Sequence, residues 1–431
     1  MTPRRLAVKA LMHQEQAGYA NLVLDAELKK CAPPLDGRDA AFAARIFYTT
    51  LERLPLLDYI LNQFTKKPVN KLDAPVRAVL RAGLAQARYM NVPLPAAVNE
   101  SVKLTKALGK ASAAGMVNAV LRRAASAKVC ESEFADPLDR LATYYCLSRP
   151  VAQLFYEQFG EEAFPLAAAF YDKPKTTIRV NTLRTNDATL TALLQSEGHT
   201  VTPGPWAGAL VIEFAGSPAA SAAFKEGLFH VQGLASQFAA LCVDAKPGQQ
   251  VLDLCAAPGG KSLTLAEAMQ DKGQLVSGEF VPTRVPLLQR SFDRCGVTCA
   301  VAVENDATRH NPGWPKFDRV LCDVPCSGLG VIAKKPDIRY KDLDGIENLL
   351  ATQQKILQNV AENGRLVYST CTVNYKENQA QVEKFLSANP DFHVVEPETA
   401  LPGADIGPLG TLFLPHKTGT DGFFVAILER K

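Results

Sequence analysis

The chain has 431 residues, 47% of them hydrophobic, which is enough to bury the cores of about two or three globular domains. No run of eighteen apolar residues predicts a membrane span, and the N-terminus lacks the apolar segment of a secretory signal. Ten cysteines are too few for a disulfide scaffold in so long a chain, so we expect reduced thiols in the cytoplasm.

The net charge of +3 is unevenly distributed along the chain. Residues 1–130 carry twenty Lys and Arg but nine Asp and Glu, a balance of +11 that leaves −8 for the remainder. A basic region joined to a mildly acidic one is typical of a polyanion-binding domain attached to a catalytic domain. Solvated helix faces rich in Lys and Arg are the alternative interpretation.

Residues 1–127 predict an all-α domain. Apolar residues recur at helical intervals, as at Val76, Val79 and Leu80, and prolines separate the runs. The region contains the stretches RAVLRAG at 77–83, AAVNE at 96–100 and AGMVNAVLRR at 114–123. These stretches resemble the NusB family of RNA-binding helical domains, and the resemblance implies RNA contact through the basic helices.

Residues 128–239 predict linker helices followed by a small α/β RNA-binding module. The stretch 177–183 alternates like a strand, and a helical pattern follows at 187–197. Arg179 and Asn181 on this strand are candidates for contact with RNA. Polar residues on a solvent-facing strand would give the same pattern.

Residues 240–431 alternate strand and helix patterns, which predicts a doubly wound, mostly parallel sheet. Strands are predicted at 250–254, 274–278, 299–303, 320–323, 364–369 and 422–428, and helices at 262–269, 285–295, 349–359 and 376–386.

A loop of small residues and glycines follows the first of these strands. Such a loop lets a ligand approach the backbone, and the next helix begins with unpaired N–H groups. The sequence matches neither the dinucleotide pattern nor the Walker loop, which disfavours NAD and ATP, and a simple tight turn is the alternative. The loop residues are Cys255, Ala256, Ala257, Pro258, Gly259, Gly260 and Lys261.

Acidic residues follow the next two strands. Glu279, about twenty positions after the loop, is placed to accept hydrogen bonds from both hydroxyls of an adenosine ribose. Asp306 is placed to accept one from the adenine amino group. Either carboxylate alone would be read as a surface charge, but the succession of loop, acid and acid indicates S-adenosylmethionine as the cofactor.

Two cysteines follow two further strands, where open α/β sheets place their ligands. Cys326 comes three residues after Asp323, and Cys371 ends the run YSTC. A thiolate that attacks carbon-6 of cytosine makes carbon-5 able to accept a methyl group, and a base must then remove the carbon-5 proton. The residues alone do not rank the two thiols. Buried, unreactive cysteines are one alternative; a zinc site is another, but its spacing is marginal and no histidine lies near.

These motifs resemble those of the RNA cytosine-C5 methyltransferases, and with the NusB-like front they resemble the bacterial RsmB (Fmu/Sun) type. The resemblance implies a Rossmann-like class I methyltransferase domain that methylates carbon-5 of a cytosine in small-subunit (16S) ribosomal RNA. We expect a monomer that binds this RNA and uses neither a metal nor a membrane. The matching motifs are DLCAAPGGK at 253–261, DVPCSG at 323–328, KPD at 335–337, STCT at 369–372, EN at 377–378 and TDGFF at 420–424.

The resemblance also implies a role for each candidate residue. Cys371 would be the nucleophile at carbon-6, Cys326 would assist product release, and Asp323 would hold the cytosine edge and contact the cofactor. Two positions depart from the family pattern, since Gly233 and Glu279 stand where Asp is usual. The same chemistry on tRNA and a non-catalytic RNA-binding scaffold are the alternative functions.

Overall fold

The structure is a computed structural model that describes residues 1–16, 19–172, 175–214 and 217–431. Backbone contacts divide the chain into two compact units. The first comprises residues 1–171 with 332–343, and the second comprises 172–331 with 344–431. The domain boundaries drawn from the sequence after residues 127 and 239 stay predictions.

The first unit is helical, as its sequence predicts. Side chains cap several helix starts: Thr2, Asp36 and Ser148 each accept a hydrogen bond from a backbone N–H three residues on. The inner helix faces contribute a core of Leu, Ile, Val and Ala side chains. The helices are α1 Pro3–Gln14, α2 Ala20–Lys29, α3 Gly37–Leu51, α4 Leu54–Asn62, α5 Ala74–Tyr89, α6 Leu94–Ala107, α7 Ala114–Ser126, α8 Pro137–Asp139, α9 Arg149–Phe159 and α10 Ala163–Ala169.

A segment from late in the chain, residues 332–343, completes this unit. Arg339 is fully buried there and donates a hydrogen bond to the carbonyl of Tyr145 at 3.1 Å. The Tyr340 hydroxyl donates to the carbonyl of Leu51 at 2.6 Å. The KPD motif therefore belongs to the helical unit, which its position among the strand–helix repeats did not predict.

The second unit begins with a small antiparallel sheet in the order β2-β3-β1-β4. Apolar side chains on one face of the sheet pack against its first helix. The elements are β1 Thr176–Val180, α11 Asp187–Ser196, β2 Thr200–Pro203, β3 Ala209–Glu213, α12 Ala222–Lys225 and β4 Phe229–Val231. The predicted strand and helix of this module are confirmed.

The larger sheet has the strand order β11-β12-β13-β9-β8-β5-β6-β7, with β10 paired to β13. Strands β5 to β9 run parallel, and β13 lies antiparallel to β9. This confirms the Rossmann-like, mostly parallel sheet. Its elements are α13 Leu234–Cys242, β5 Gln250–Asp253, α14 Gly260–Ala268, β6 Gln274–Glu279, α15 Val285–Cys295, β7 Ala300–Glu304, β8 Arg319–Asp323, α16 Ile346–Asn359, β9 Arg365–Thr370, α17 Gln379–Ala388, β10 Phe392–Val395, β11 Asp405–Gly407, β12 Gly410–Phe413, α18 Pro415–Thr418 and β13 Phe423–Arg430.

The parallel strands end at one edge of this sheet, so their C-terminal turns gather the candidate site residues there.

Throughout the described ranges, each helix is too short or too polar to cross a lipid bilayer.

Candidate functional site

The loop after β5 turns sharply into α14. Gly259 precedes α14 with a φ of +105°, a left-handed conformation that favours glycine, and a side chain there would meet Leu288 at 3.1 Å. The backbone N–H of Ala256 donates to the carbonyl of Gly278 at 2.8 Å, which ties the loop to β6. A ligand can approach the backbone of this loop closely, and the first N–H groups of α14 can donate hydrogen bonds to a polar ligand.

Lys261, in the first turn of α14, reaches the end of β8. Its Nζ lies 2.6 Å from Oδ2 of Asp323, and the Ser369 hydroxyl donates to Oδ1 of Asp323 at 2.8 Å. Burial alone would lower the pKa of Lys261, but the charge of Asp323 raises it above its usual value. The start of α14 and the ends of β8 and β9 thus meet at one ion pair.

The predicted ribose and adenine acceptors lie at the ends of β6 and β7. Glu279 is buried, and its Oε1 accepts a hydrogen bond from the backbone N–H of Val281 at 2.8 Å. Asp306 accepts two bonds from Thr308, which lower its pKa and keep it ionised. These carboxylates share the sheet edge with the loop, an arrangement that fits an adenosine ligand.

Phe280 is a candidate binding residue that the sequence interpretation missed. It directly follows Glu279, and 67% of its surface is exposed although it is a large aromatic residue. An exposed ring beside the predicted ribose acceptor is suited to stacking on a nucleobase. The aromatic residue after the acid was visible in the sequence, but its exposure was not.

The two predicted thiols lie in direct contact. Cys326 Sγ is 3.3 Å from Cys371 Sγ, with both residues partly buried. The hydrogen bond with Cys371, burial and the nearby Glu377 raise the pKa of Cys326 well above its usual value. The two sulfurs share one hydrogen bond, in which either can be the donor.

Arg179 and Asn181 lie inside the second unit, with both side chains buried. Arg179 Nε donates to Oε2 of Glu267 at 3.0 Å. Asn181 Nδ2 donates to the carbonyls of Gly227 and Cys295, each at 2.8 Å. This placement runs against the predicted contact with RNA, because these donors are engaged within the protein and solvent does not reach them.

The remaining cysteines include buried residues such as Cys295 and Cys322, whose thiol pKa values burial raises. Within the residues that the structure describes, no group of three or more His, Cys, Asp or Glu is arranged to hold a metal ion.

Comparisons with protein families match three parts of the chain. A family described as 16S rRNA methyltransferase RsmB/F matches residues 240–429, and the NusB family matches residues 1–126. A family described as the RsmF/B-like methyltransferase ferredoxin-like domain matches residues 151–217.

Individual relatives match over nearly the whole chain. A protein of Bacillus subtilis named "Probable ribosomal RNA small subunit methyltransferase B" is 35% identical, with 99% of this chain and 98% of its own length aligned. A "Ribosomal RNA small subunit methyltransferase B" of Vibrio cholerae is 31% identical over 100% of this chain and 98% of its own.

Solved structures agree with the fold. The crystal structure of PH0851 has a TM-score of 0.80 and 25% identity, covering 100% of this chain and 99% of its own. A methyltransferase homologue from Pyrococcus horikoshii has a TM-score of 0.62 and 25% identity, covering 69% of this chain and 100% of its own.

Proposed function

Because this chain belongs to the ribosomal RNA small subunit methyltransferase B family, we propose that it methylates carbon-5 of one cytosine in small-subunit ribosomal RNA through a covalent cysteine adduct. The family methylates ribosomal RNA, and its cofactor is S-adenosylmethionine. The observation that carries the finer assignment is the 3.3 Å contact between the two sulfurs at the strand ends.

Cys371 acts as the nucleophile in this proposal. Its thiolate adds to carbon-6 of the ring, and the electrons of the carbon-5–carbon-6 double bond then make carbon-5 nucleophilic. S-adenosylmethionine supplies the methyl group that carbon-5 receives. A base then removes the carbon-5 proton, the bond between sulfur and carbon-6 breaks, and the double bond returns.

Cys326 assists the last of these steps. The hydrogen bond with Cys371 and burial raise the pKa of Cys326, so one proton is shared tightly between the two sulfurs. Its 3.3 Å contact allows it to exchange a proton with the departing sulfur of Cys371. The ranking of the two cysteines rests on the family resemblance.

Asp323 holds the polar edge of the cytosine. Lys261 and Ser369 each bind one of its oxygens, so the carboxylate is fixed in orientation before the base arrives. The target base must leave its stack to reach this edge of the sheet, because carbon-5 and carbon-6 are inaccessible within a stacked helix.

The loop residues 255–261, Glu279 and Asp306 would hold the cofactor. Glu279 would accept the ribose hydroxyls and Asp306 the adenine amino group, while Phe280 would stack on the base. Asp323 would lie between the cofactor and the cytosine, because the ion pair with Lys261 connects it to the loop.

Bisulfite sequencing of ribosomal RNA and tRNA from a strain with and without the gene tests the substrate. We expect one cytosine of the small-subunit RNA to lose its protection in the deletion strain and to regain it on complementation. Loss of protection in tRNA alone would favour the alternative substrate. Unchanged maps of both RNAs would favour the non-catalytic scaffold.

A further inference from the structure

Glu377 is a fully buried carboxylate just behind the two sulfurs. Its Oε2 accepts from the backbone N–H of Ser327 at 2.7 Å and from Nε2 of Gln353 at 3.0 Å. Its Oε1 accepts from the Ser327 hydroxyl at 2.5 Å and from Nδ2 of Asn374 at 3.0 Å. The Thr372 hydroxyl also donates to Oε1 at 3.4 Å, so Oε1 accepts three bonds and Oε2 accepts two, which satisfies a buried carboxylate.

The donors come from the two turns that carry the cysteines. Ser327 directly follows Cys326, and Asn374 lies three residues after Cys371. The hydroxyl of Thr372, next to Cys371, bonds to that of Ser327 at 2.8 Å. One carboxylate thus connects the backbone behind one sulfur to the turn behind the other.

Gln353, on α16, connects Glu377 to the residue that precedes Cys326. Its Nε2 donates to the carbonyl of Pro325 at 2.9 Å as well as to Glu377. Cys326 is therefore held on both sides, through the residue before it and the residue after it. Gln353 is itself fully buried, so its side chain cannot exchange these partners for solvent.

The donors of these five bonds are two side-chain amides, two hydroxyls and a backbone N–H, and none of them carries a positive charge. A buried carboxylate held only by neutral donors stabilises the fold less than well-packed apolar residues would, because its desolvation is not offset by an ion pair. Because Glu377 lies where the two cysteine-bearing turns meet, it is placed to fix the position of both turns.

We propose that Glu377 is a positioning residue that sets the separation and orientation of the Cys326 and Cys371 sulfurs, with Gln353 holding the Cys326 side. The catalytic consequence rests on the proposed function, whereas the positioning itself does not. A misplacement of about 1 Å at a reacting atom lowers a rate by about a hundredfold. Removal of the carboxylate should therefore act on the chemical step more than on binding.

Disulfide formation between the two cysteines tests the positioning without RNA. Diamide takes two electrons and two protons from the Cys326 and Cys371 thiols as the S–S bond forms, and is reduced to the hydrazine. The linked peptide is quantified by mass spectrometry over time. Loss of the Glu377 charge lowers the pKa of Cys326 and by itself would speed the linkage, so the linkage that we expect to be about tenfold slower in Glu377→Gln reports the loss of fixed geometry between the sulfurs.

Glu383→Gln is the matched control, because Glu383 lies exposed on the neighbouring helix α17 and should leave the linkage rate unchanged. Thermal unfolding shows whether each variant folds. Should Glu377→Gln fail to fold, Ser327→Ala removes a single donor from the carboxylate and should slow the linkage to a smaller extent. A linkage rate equal to that of wild type in the folded variant overturns the proposal.

Steady-state methylation of small-subunit ribosomal RNA is the second measurement. We expect Glu377→Gln to lower kcat about tenfold to a hundredfold and to leave KM for RNA and for S-adenosylmethionine within about twofold. A rise in KM with an unchanged kcat overturns the proposal. If linkage slows as expected but wild type incorporates no methyl group, the positioning stands and the proposed function fails.

Discussion

At the scale of single residues, Asp253 shows how burial beside the cofactor loop affects ionisation. It is fully buried at the end of β5, and the Ser262 hydroxyl donates to its Oδ2 at 2.7 Å. Burial raises its pKa to about 6, against the opposing effect of the Ser262 hydrogen bond. The folded chain therefore binds this proton more tightly than the unfolded chain, in which the pKa is about 3.9.

A pH-dependent stability follows from this difference. As the pH rises from about 4 to about 6, proton loss from Asp253 lowers the free energy of unfolding by up to about 3 kcal/mol, and the loss is complete above that range. We expect Asp253→Asn, which carries no charge, to gain in Tm relative to wild type across this window. If plots of Tm against pH run parallel for the two proteins between pH 4 and pH 7, the raised pKa of Asp253 is contradicted.

At the scale of elements, the pair of Arg179 and Glu267 joins β1 of the small sheet to α14 behind the cofactor loop. Both side chains are almost completely buried, so removing Arg179 leaves Glu267, whose pKa burial raises to about 8, without its ion-pair partner. We expect Arg179→Met to lower the free energy of unfolding by about 3–5 kcal/mol in urea titrations.

The double variant Arg179→Met/Glu267→Gln is the control and should recover much of that loss, because no buried charge is left unpaired. The RNA affinity of folded Arg179→Met should equal that of wild type. A selective loss of RNA affinity at unchanged stability would instead restore the predicted RNA-binding role of Arg179.

The sequence predicted those elements whose signals are local. The strands β5 to β9 each carry a short apolar run, and their observed bounds differ from the predicted ones by at most one residue at either end. The short strands β10, β11 and β12 were missed, since three or four residues carry no readable period. β10 and β12 pair with β13, and β11 pairs with β12.

The site residues also divide into those that the local sequence predicts and those whose environment depends on distant parts of the chain. Residues at strand ends were predictable, because the C-terminal edge of a parallel sheet collects them whatever the packing. The burial of Arg179 was not, since its partner lies 88 residues away. The same holds for Glu377, which the sequence presented only as part of a matching motif, and for the placement of residues 332–343 in the helical unit.

At the scale of the whole molecule, the uneven charge predicts how RNA binds. Residues 1–130 hold the excess of positive charge, and Lys66 and Lys67 are exposed within it. Each phosphate that a Lys or Arg neutralises on single-stranded RNA contributes about −0.7 to the slope of log affinity against log salt.

We therefore expect Lys66→Gln/Lys67→Gln to make that slope shallower by about 1.4 in the full-length protein if both lysines contact phosphates. The exposed Lys225 of the second unit provides a matched control, and Lys225→Gln should change the slope less. An RNA affinity of the wild-type protein that hardly varies between low and high salt would contradict the role of the basic region.

The covalent adduct tests the central claim most directly. The Cys326→Ala protein, incubated with small-subunit ribosomal RNA and S-adenosylmethionine, should accumulate a protein–RNA complex that survives denaturing electrophoresis, because release of the methylated base is impaired. The complex should be absent from the Cys326→Ala/Cys371→Ala protein. A complex that persists without Cys371, or full methyl incorporation by Cys371→Ser, would contradict the account.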